Sequence, residues 1–255
     1  MIRNYSWREN VEMRNGTAIR AASANDRAPE FRSGATTIRF GAPANTYAPA
    51  RAPARNRLKR GFDVVFGTLL LIALAPLMAL LAIAVTRDRG PALFGHRRVG
   101  ADGRSFTCWK FRSMVVDAEA VLAETLARDP QARREWQRDF KLKNDPRVTP
   151  LGRFLRKSSL DELPQLLSVI TGEMSLIGPR PIVTAEIERY GAAFAEYAAC
   201  RPGITGLWQV SGRNDIDYAS RVAIDRHYAR SWSFLGDLTI LMKTVGVVLR
   251  RSGAY

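Results

Sequence analysis

Cysteine, histidine and acidic side chains are all scarce in this chain. Cys108 and Cys200 are the only two cysteines among 255 residues, too few and too isolated for a disulfide framework, and they suit a reducing, cytosol-facing location. The two histidines, His96 and His227, have no metal-ligand spacing, which excludes a zinc site of the usual kind. Acidic residues number 24 against 39 basic ones, a formal net charge of +15. That balance points to anionic partners: phospholipid headgroups, nucleic acid or phosphorylated substrates. Basic patches interleaved with aromatic platforms are missing, as is a recognisable reading helix, so nucleic acid is set aside. No cleavable signal peptide is expected, because the first long apolar run begins only at residue 64.

What the chain does contain is one long hydrophobic run, VVFGTLLLIALAPLMALLAIAVT, about 23 residues without a charge. Arg51, Arg55, Arg57, Lys59 and Arg60 flank it upstream, and Arg87, Arg89, Arg97 and Arg98 downstream. The positive-inside bias asks both ends to stay in the cytoplasm, which a spanning helix cannot do. Pro76 lies near the middle, where it removes a backbone hydrogen bond and favours a bend. The pattern predicts a re-entrant helical hairpin with arms over 64 to 75 and 77 to 86, each about 15 to 18 Å long. A spanning helix kinked at Pro76 is the alternative.

Residues 1–58 are rich in Ala, Arg, Asn and Pro without helical or strand period, and read as a disordered basic tail. After the hydrophobic run, 92 to 99 and 104 to 111 are short β-like runs separated by Gly100, Ala101, Asp102 and Gly103, a hairpin composition. The stretch from Met114 to Ala127 has helical amphipathic spacing, and the alternating charges of 128 to 143 read as a solvated helix face. Near the C-terminus, FLGDLTILMKTVGVVL is apolar but carries Asp237 and Lys243. An interfacial helix anchored by Tyr228 and Trp232 is expected there, with a core helix as the alternative.

The most chemically loaded stretch runs from Asn144 to Pro181. Arg147, Arg153, Arg156 and Lys157 precede the adjacent carboxylates Asp161 and Glu162. Pro164 fits a first helical turn and Gly172 a far cap, predicting a helix from near Asp161 to near Thr171 with the carboxylates at its N-terminus. Ser159-Leu160-Asp161-Glu162 also matches a capping box, in which nothing is catalysed. The surrounding guanidinium groups favour an anion such as a diphosphate instead. Gly178-Pro179-Arg180-Pro181 adds an arginine on a rigid turn, and Arg201 to Gly206 with Gly212-Arg213 adds a second glycine-punctuated basic loop.

At these residues the chain resembles the bacterial polyisoprenyl-phosphate hexose-1-phosphate transferases, of the monotopic phosphoglycosyl transferase superfamily. The motifs are Lys59-Arg60 with Asp63, the proline-containing hydrophobic run, Lys110 to Met114, Ser159 to Leu166, Gly178 to Pro181, RPGITGLWQVSGR and the terminal RSGAY. The resemblance covers residues 58 to 255. It implies that Asp161 is the nucleophile, that Glu162 holds Mg²⁺, and that Lys110, Arg156, Arg180 and Arg213 surround the substrate phosphates, with Asp237 a further acidic substrate-binding position. One departure is Ala75-Pro76, where the family often carries Ser-Pro.

The resemblance implies an α+β enzyme: a mainly helical, small cytosolic domain with a β-hairpin over 88–255, anchored by a proline-broken re-entrant membrane helix over 59–87 and by interfacial amphipathic helices. Its implied reaction moves galactose- or glucose-1-phosphate from a UDP-hexose to undecaprenyl phosphate, releasing UMP, as the first membrane step of exopolysaccharide synthesis. Its implied place is the cytoplasmic face of the bacterial inner membrane, among membrane lipids and downstream glycosyltransferases. The rival is a non-enzymatic basic module that binds membrane surfaces, which leaves the paired carboxylates unexplained.

Overall fold

The computed structural model describes residues 53–139, 142–212 and 217–250. Most of the expected basic tail, Arg213 and the RSGAY ending lie outside these residues. The helix α1 runs from Arg57 to Val85, and Asn56 caps it by accepting from the Lys59 amide at 2.9 Å. It continues through Pro76 as one helix of 29 residues, where two separate arms were expected. Proline removes a single backbone donor, and the turns on either side retain enough hydrogen bonds to carry the helix across it. At 1.5 Å per residue it is about 43 Å long. Much of its side is apolar and open, with Val65, Leu69, Ile72, Leu80 and Ile83 all more than half exposed.

The strands β1 (Leu93–Val99) and β2 (Ser105–Phe111) pair antiparallel in the expected hairpin, from Leu93 opposite Phe111 to Val99 opposite Ser105. Their connection has Asp102 at φ 55° and Gly103 at φ 70°, the left-handed conformations that these two residue types adopt most readily. The amphipathic helix α2 (Ala118–Arg128) and the polar helix α3 (Pro130–Asp139) follow, both in the segments where helices were expected.

Helix α4 (Pro150–Ser158) opens with Thr149 accepting from the Gly152 amide at 2.9 Å. It ends at Ser159, whose φ of 58° turns the chain sharply into a 3₁₀ turn over Leu160–Glu162. Helix α5 (Gln165–Thr171) then runs to Gly172, which closes it at φ 93° as expected. The predicted helix over 161 to 171 is therefore split. The capping box is not formed either, since the Ser159 side chain makes no capping bond and the residue itself is left-handed.

Strands β3 (Ser175–Ile177) and β4 (Gly203–Thr205) pair in parallel. The short helices α6 (Ile187–Tyr190), α7 (Phe194–Ala198) and α8 (Leu207–Val210) lead to α9 (Tyr218–Ser231) and α10 (Phe234–Arg250). The main core gathers Phe106 and Cys108 from β2, Leu166 and Val169 from α5, Leu176 and Ile177 from β3, Tyr228 from α9, Ile240 from α10 and Trp232 from the connection between them. A second core joins Leu81 and Val85 of α1 to Phe111 and Leu155. Helix α1 thus packs on the same body near both of its ends.

Its first turns are fixed by polar contacts as well. Lys59 Nζ donates to Asp237 Oδ2 at 2.6 Å and to the Ile177 carbonyl at 2.9 Å. Asp63 Oδ1 accepts from Ser175 Oγ and the Leu176 amide, both at 3.0 Å. At the other end Arg112 donates to the Val85 carbonyl at 2.8 Å and pairs bidentately with Asp88.

Tyr228 and Trp232 do not act as interface anchors: both are buried, and each donates to Asp237, at 2.8 and 3.0 Å. A buried carboxylate draws such donors inward more strongly than a lipid interface holds them. The outward side of α10 instead presents Leu235, Met242 and Val245.

Candidate active site

The left-handed Ser159 and the 3₁₀ turn after it bring Asp161 and Glu162 side by side against the end of β2. Lys110 Nζ lies 2.5 Å from Glu162 Oε1 and 3.8 Å from Asp161 Oδ2. Asp161 is only 7% exposed, and burial pushes its carboxyl up to about 6, with the Glu162 charge adding to the rise and Lys110 and Arg156 opposing it. The carboxylate is thus ionised at neutral pH yet more basic than an exposed aspartate, a state suited to nucleophilic attack.

Arg156 projects from α4 with its Nε donating to Ser113 Oγ at 2.8 Å. Gly152 lets α4 approach that segment, because a Cβ there would lie 1.9 Å from the Ser113 carbonyl oxygen. The guanidinium is itself largely desolvated, which lowers its pKa, and Asp161 is the main charge opposing that effect.

Arg180 comes from the loop after β3, which is locked to the Arg201 to Gly206 loop. The Gly178 amide donates to the Thr205 carbonyl at 2.9 Å, and the Gly203 amide to the Pro179 carbonyl at 2.8 Å. A Cβ on Gly178 or Gly203 would come within 2.2 Å of backbone across this crossing. The Arg180 guanidinium stacks 5.3 Å over the Trp208 ring. Nearby, Glu186 accepts from Arg221 at 2.9 Å and sits 3.9 Å from Arg98. Among the described residues Arg180 has no ion pair within 4 Å, and its charge acts at longer range on Glu186 and Asp225.

The structure therefore gathers Lys110, Arg156, Asp161 and Glu162 in direct or charge contact, with Arg180 held in a braced loop linked to the hairpin through Arg98. Asp237 is elsewhere. It is 1% exposed, and both oxygens are taken by Lys59, Tyr228 and Trp232, so it anchors α1 to α9 and α10 and has no free oxygen for a substrate. Arg213 lies outside the described residues. Ser113, Arg98, Glu186 and Trp208 were not foreseen. Arg98 reads in the sequence as one more flanking charge, and the only local contact of the Glu186 side chain among those described is as acceptor for the Val183 amide at 2.9 Å, whereas its arginine partners are 35 or more positions away.

The pair Asp161 and Glu162 offers oxygen donors only, and no group of three or more candidate ligands occurs among the described residues. Such a pair fits Mg²⁺, which takes one or two carboxylates and completes its shell with water and phosphate oxygens. Buried carboxylate, adjacent partner and surplus cations together suit transfer of a phosphoryl group.

Comparisons with known proteins agree with that chemistry. The family model described as "Bacterial sugar transferase" matches residues 54–251. The undecaprenyl-phosphate galactose phosphotransferase of Salmonella typhimurium is 59% identical over 198 residues, covering 78% of this chain and 42% of that protein. The exopolysaccharide production protein ExoY of Rhizobium meliloti is 48% identical, covering 80% of this chain and 90% of its own length. The UDP-glucose:undecaprenyl-phosphate glucose-1-phosphate transferase of Escherichia coli is 39% identical over 78% of this chain and 41% of its own. This chain thus spans under half the length of some relatives and most of the length of others. With the family model matched from before α1 to beyond α10, the chain belongs to the bacterial sugar transferase family.

Proposed function

We propose that this protein transfers a hexose-1-phosphate from a UDP-hexose to undecaprenyl phosphate, and that Asp161 is the nucleophile. The observation that carries the reading is the buried Asp161 carboxylate, raised to about 6, between Lys110 and Arg156. An Asp161 oxygen attacks the sugar-bearing phosphorus, the bond to the bridging oxygen breaks, and UMP leaves with that oxygen. An oxygen of polyprenyl phosphate then attacks the sugar-phosphoryl aspartate, regenerating the carboxylate and forming the lipid diphosphate sugar. Two steps let one site serve a soluble donor and a membrane-held acceptor in turn. Lys110, Arg156 and Arg180 offset charge on the phosphates, and Arg213 is assigned the same role from the motif. Glu162 beside Asp161 would hold Mg²⁺, which when bound would supply further charge neutralisation at the diphosphate.

Galactose or glucose is the sugar favoured by the names of the relatives. In this reading the enzyme works at the cytoplasmic face of the inner membrane and starts exopolysaccharide assembly; the ExoY relatives are named for exopolysaccharide production. A placement of α1 with both of its ends at one face of the membrane is supported by packing: Lys59 and Asp63 near one end and Leu81 and Val85 near the other bear on the same body. A helix crossing a hydrocarbon core of about 30 Å would carry those ends to opposite sides. The open stripe of α10 extends the lipid-facing surface, linked to α1 where Phe234 meets Phe62 edge-on with ring centroids 5.4 Å apart.

The test is UMP release from a panel of UDP-hexoses, with undecaprenyl phosphate and Mg²⁺ in detergent. Activity on a hexose donor that is lost in Asp161→Asn is expected. Silence of folded parent protein across the panel would overturn the reading.

A further inference from the structure

On the hairpin, residues that face each other across the ladder point to the same side of the sheet. Phe94 is opposite Lys110, His96 opposite Cys108, and Arg98 opposite Phe106. Lys110 reaches Glu162 and Asp161, and Arg98 reaches the Pro181 carbonyl beside Arg180 at 3.3 Å. Phe94 and His96 therefore form a shelf running along the site, with the proposed phosphate-binding cations at its two ends. Phe94 is 53% exposed although it shares this face with the buried Phe106 and Cys108, because it stands near the end of the ladder beside Lys110. Its centroid lies 6.2 Å from that of His96, tilted by 51°.

His96 is constrained chemically. Its Nδ1 lies 3.0 Å from the Arg97 carbonyl, which can only accept, so Nδ1 carries the proton. Burial, then Arg98 and Lys110, hold the imidazole below its ordinary pKa, so at neutral pH Nε2 has a lone pair. The shelf thus combines an open aromatic face with a hydrogen-bond acceptor, next to a set of cations that suits a diphosphate.

We propose that Phe94 and His96 bind the pyrimidine base of the nucleotide donor, the ring stacking on Phe94 and the N3–H of uracil donating to His96 Nε2. This rests on the reading of the protein as a UDP-hexose enzyme and deepens it by naming the base subsite. Cytosine has no proton on N3 and would meet a lone pair with a lone pair. The same two residues then account for selection of uridine over cytidine nucleotides. Leu93 and Trp109 are also exposed at this end, but they lie on the opposite side of the ladder from Lys110.

The test is binding of UMP and of CMP, measured calorimetrically on full-length protein in detergent, alongside donor kinetics. The parent is expected to prefer UMP. Phe94→Leu, which keeps apolar bulk and removes the π-face, should weaken both nucleotides about tenfold, and Phe94→Trp should restore them. His96→Ala should remove most of the preference for UMP, and His96→Gln, whose amide oxygen still accepts, should retain it. In both deficient variants the donor KM should rise while kcat at saturating donor stays near the parent value. Unchanged UMP and CMP affinities in variants that melt like the parent would overturn the proposal, as would a rise confined to the KM for polyprenyl phosphate, which would place Phe94 against lipid. Failure of the underlying enzymatic reading is separately visible, as absence of UMP release from the parent itself.

Discussion

Two lysine–carboxylate clusters in this protein are built from the same residue types and end in opposite states. At the base of α1, Lys59 and Asp237 are 3% and 1% exposed, and Asp237 accepts from Lys59, Tyr228 and Trp232. That cluster is closed, with every strong acceptor of Asp237 matched by a donor. At the hairpin, Lys110 is shared between Glu162 at 2.5 Å and Asp161 at 3.8 Å, and its side chain is one-third exposed. Asp161 is nearly as desolvated as Asp237, yet among the described residues its closest side-chain cation is Lys110 at 3.8 Å, which is held more tightly by Glu162. Burial alone does not distinguish an anchor from a reactive group. The distinction lies in how completely the buried charge is satisfied.

The comparison can be broken most sharply at Asp161. Asp161→Asn is expected to lower UMP release about a thousandfold or more, because it removes the attacking oxygen. The same variant should melt no lower than the parent at pH 7. With a folded-state pKa near 6, against 3.8 for the free group, stability is lost as pH rises from about 4 through 6, and that cost is fully present at pH 7. A shift of that size corresponds to about 3 kcal/mol as an upper bound. Loss of activity with an unchanged or raised melting temperature is the expected outcome, measured by UMP assay and by thermal scanning in matched detergent.

Lys59→Met should show the reverse balance. Leaving Asp237 charged and buried without its cation is expected to cost about 3 to 5 kcal/mol. Adding Asp237→Asn, whose amide oxygen can still accept from Trp232, should recover part of the loss. A denaturant titration of the three proteins reads this directly, and equal stability of all three would show that the cluster is not an anchor.

A smaller effect sharpens the hairpin side. The Glu162 charge helps to raise the Asp161 pKa. In metal-free protein, Glu162→Gln should therefore move the Asp161 titration downwards from about 6, followed by carbon NMR of the side-chain carboxyl. Protonated Asp161 cannot attack, so donor turnover in the parent should rise with pH through the same region. The smallest change is expected from Ser159→Gly. Ser159 holds φ 58° without a side-chain capping bond, so glycine should raise stability by up to about 1 kcal/mol, read as a small increase in melting temperature.

The hairpin was legible in the sequence because alternation along β1 and β2 and the Gly100 to Gly103 turn are local signals that tertiary packing had no reason to oppose. The carboxylate pair and its cations were legible as motifs, yet their backbone was not. A helix start at Asp161 is what Pro164 and Gly172 suggest, whereas the left-handed Ser159 arises where α4 must end against β2 and turn back. Pro76 was read as a break, and the chain remains helical across it. Asp237 was read as a substrate contact and Trp232 as an interface anchor, and both belong to the closed cluster instead.

By itself the sequence determined what depends on neighbours in the chain: one long apolar run with cationic flanks, one hairpin, a C-terminal apolar helix, and adjacent acids among arginines. Only the tertiary structure decided which charges are sealed and which are available. Lys59 and Asp237 are 178 positions apart, and Lys110 and Glu162 are 52 apart. Desolvation and pairing are set by what folding brings within a few ångströms, and over such separations no periodicity or composition encodes it.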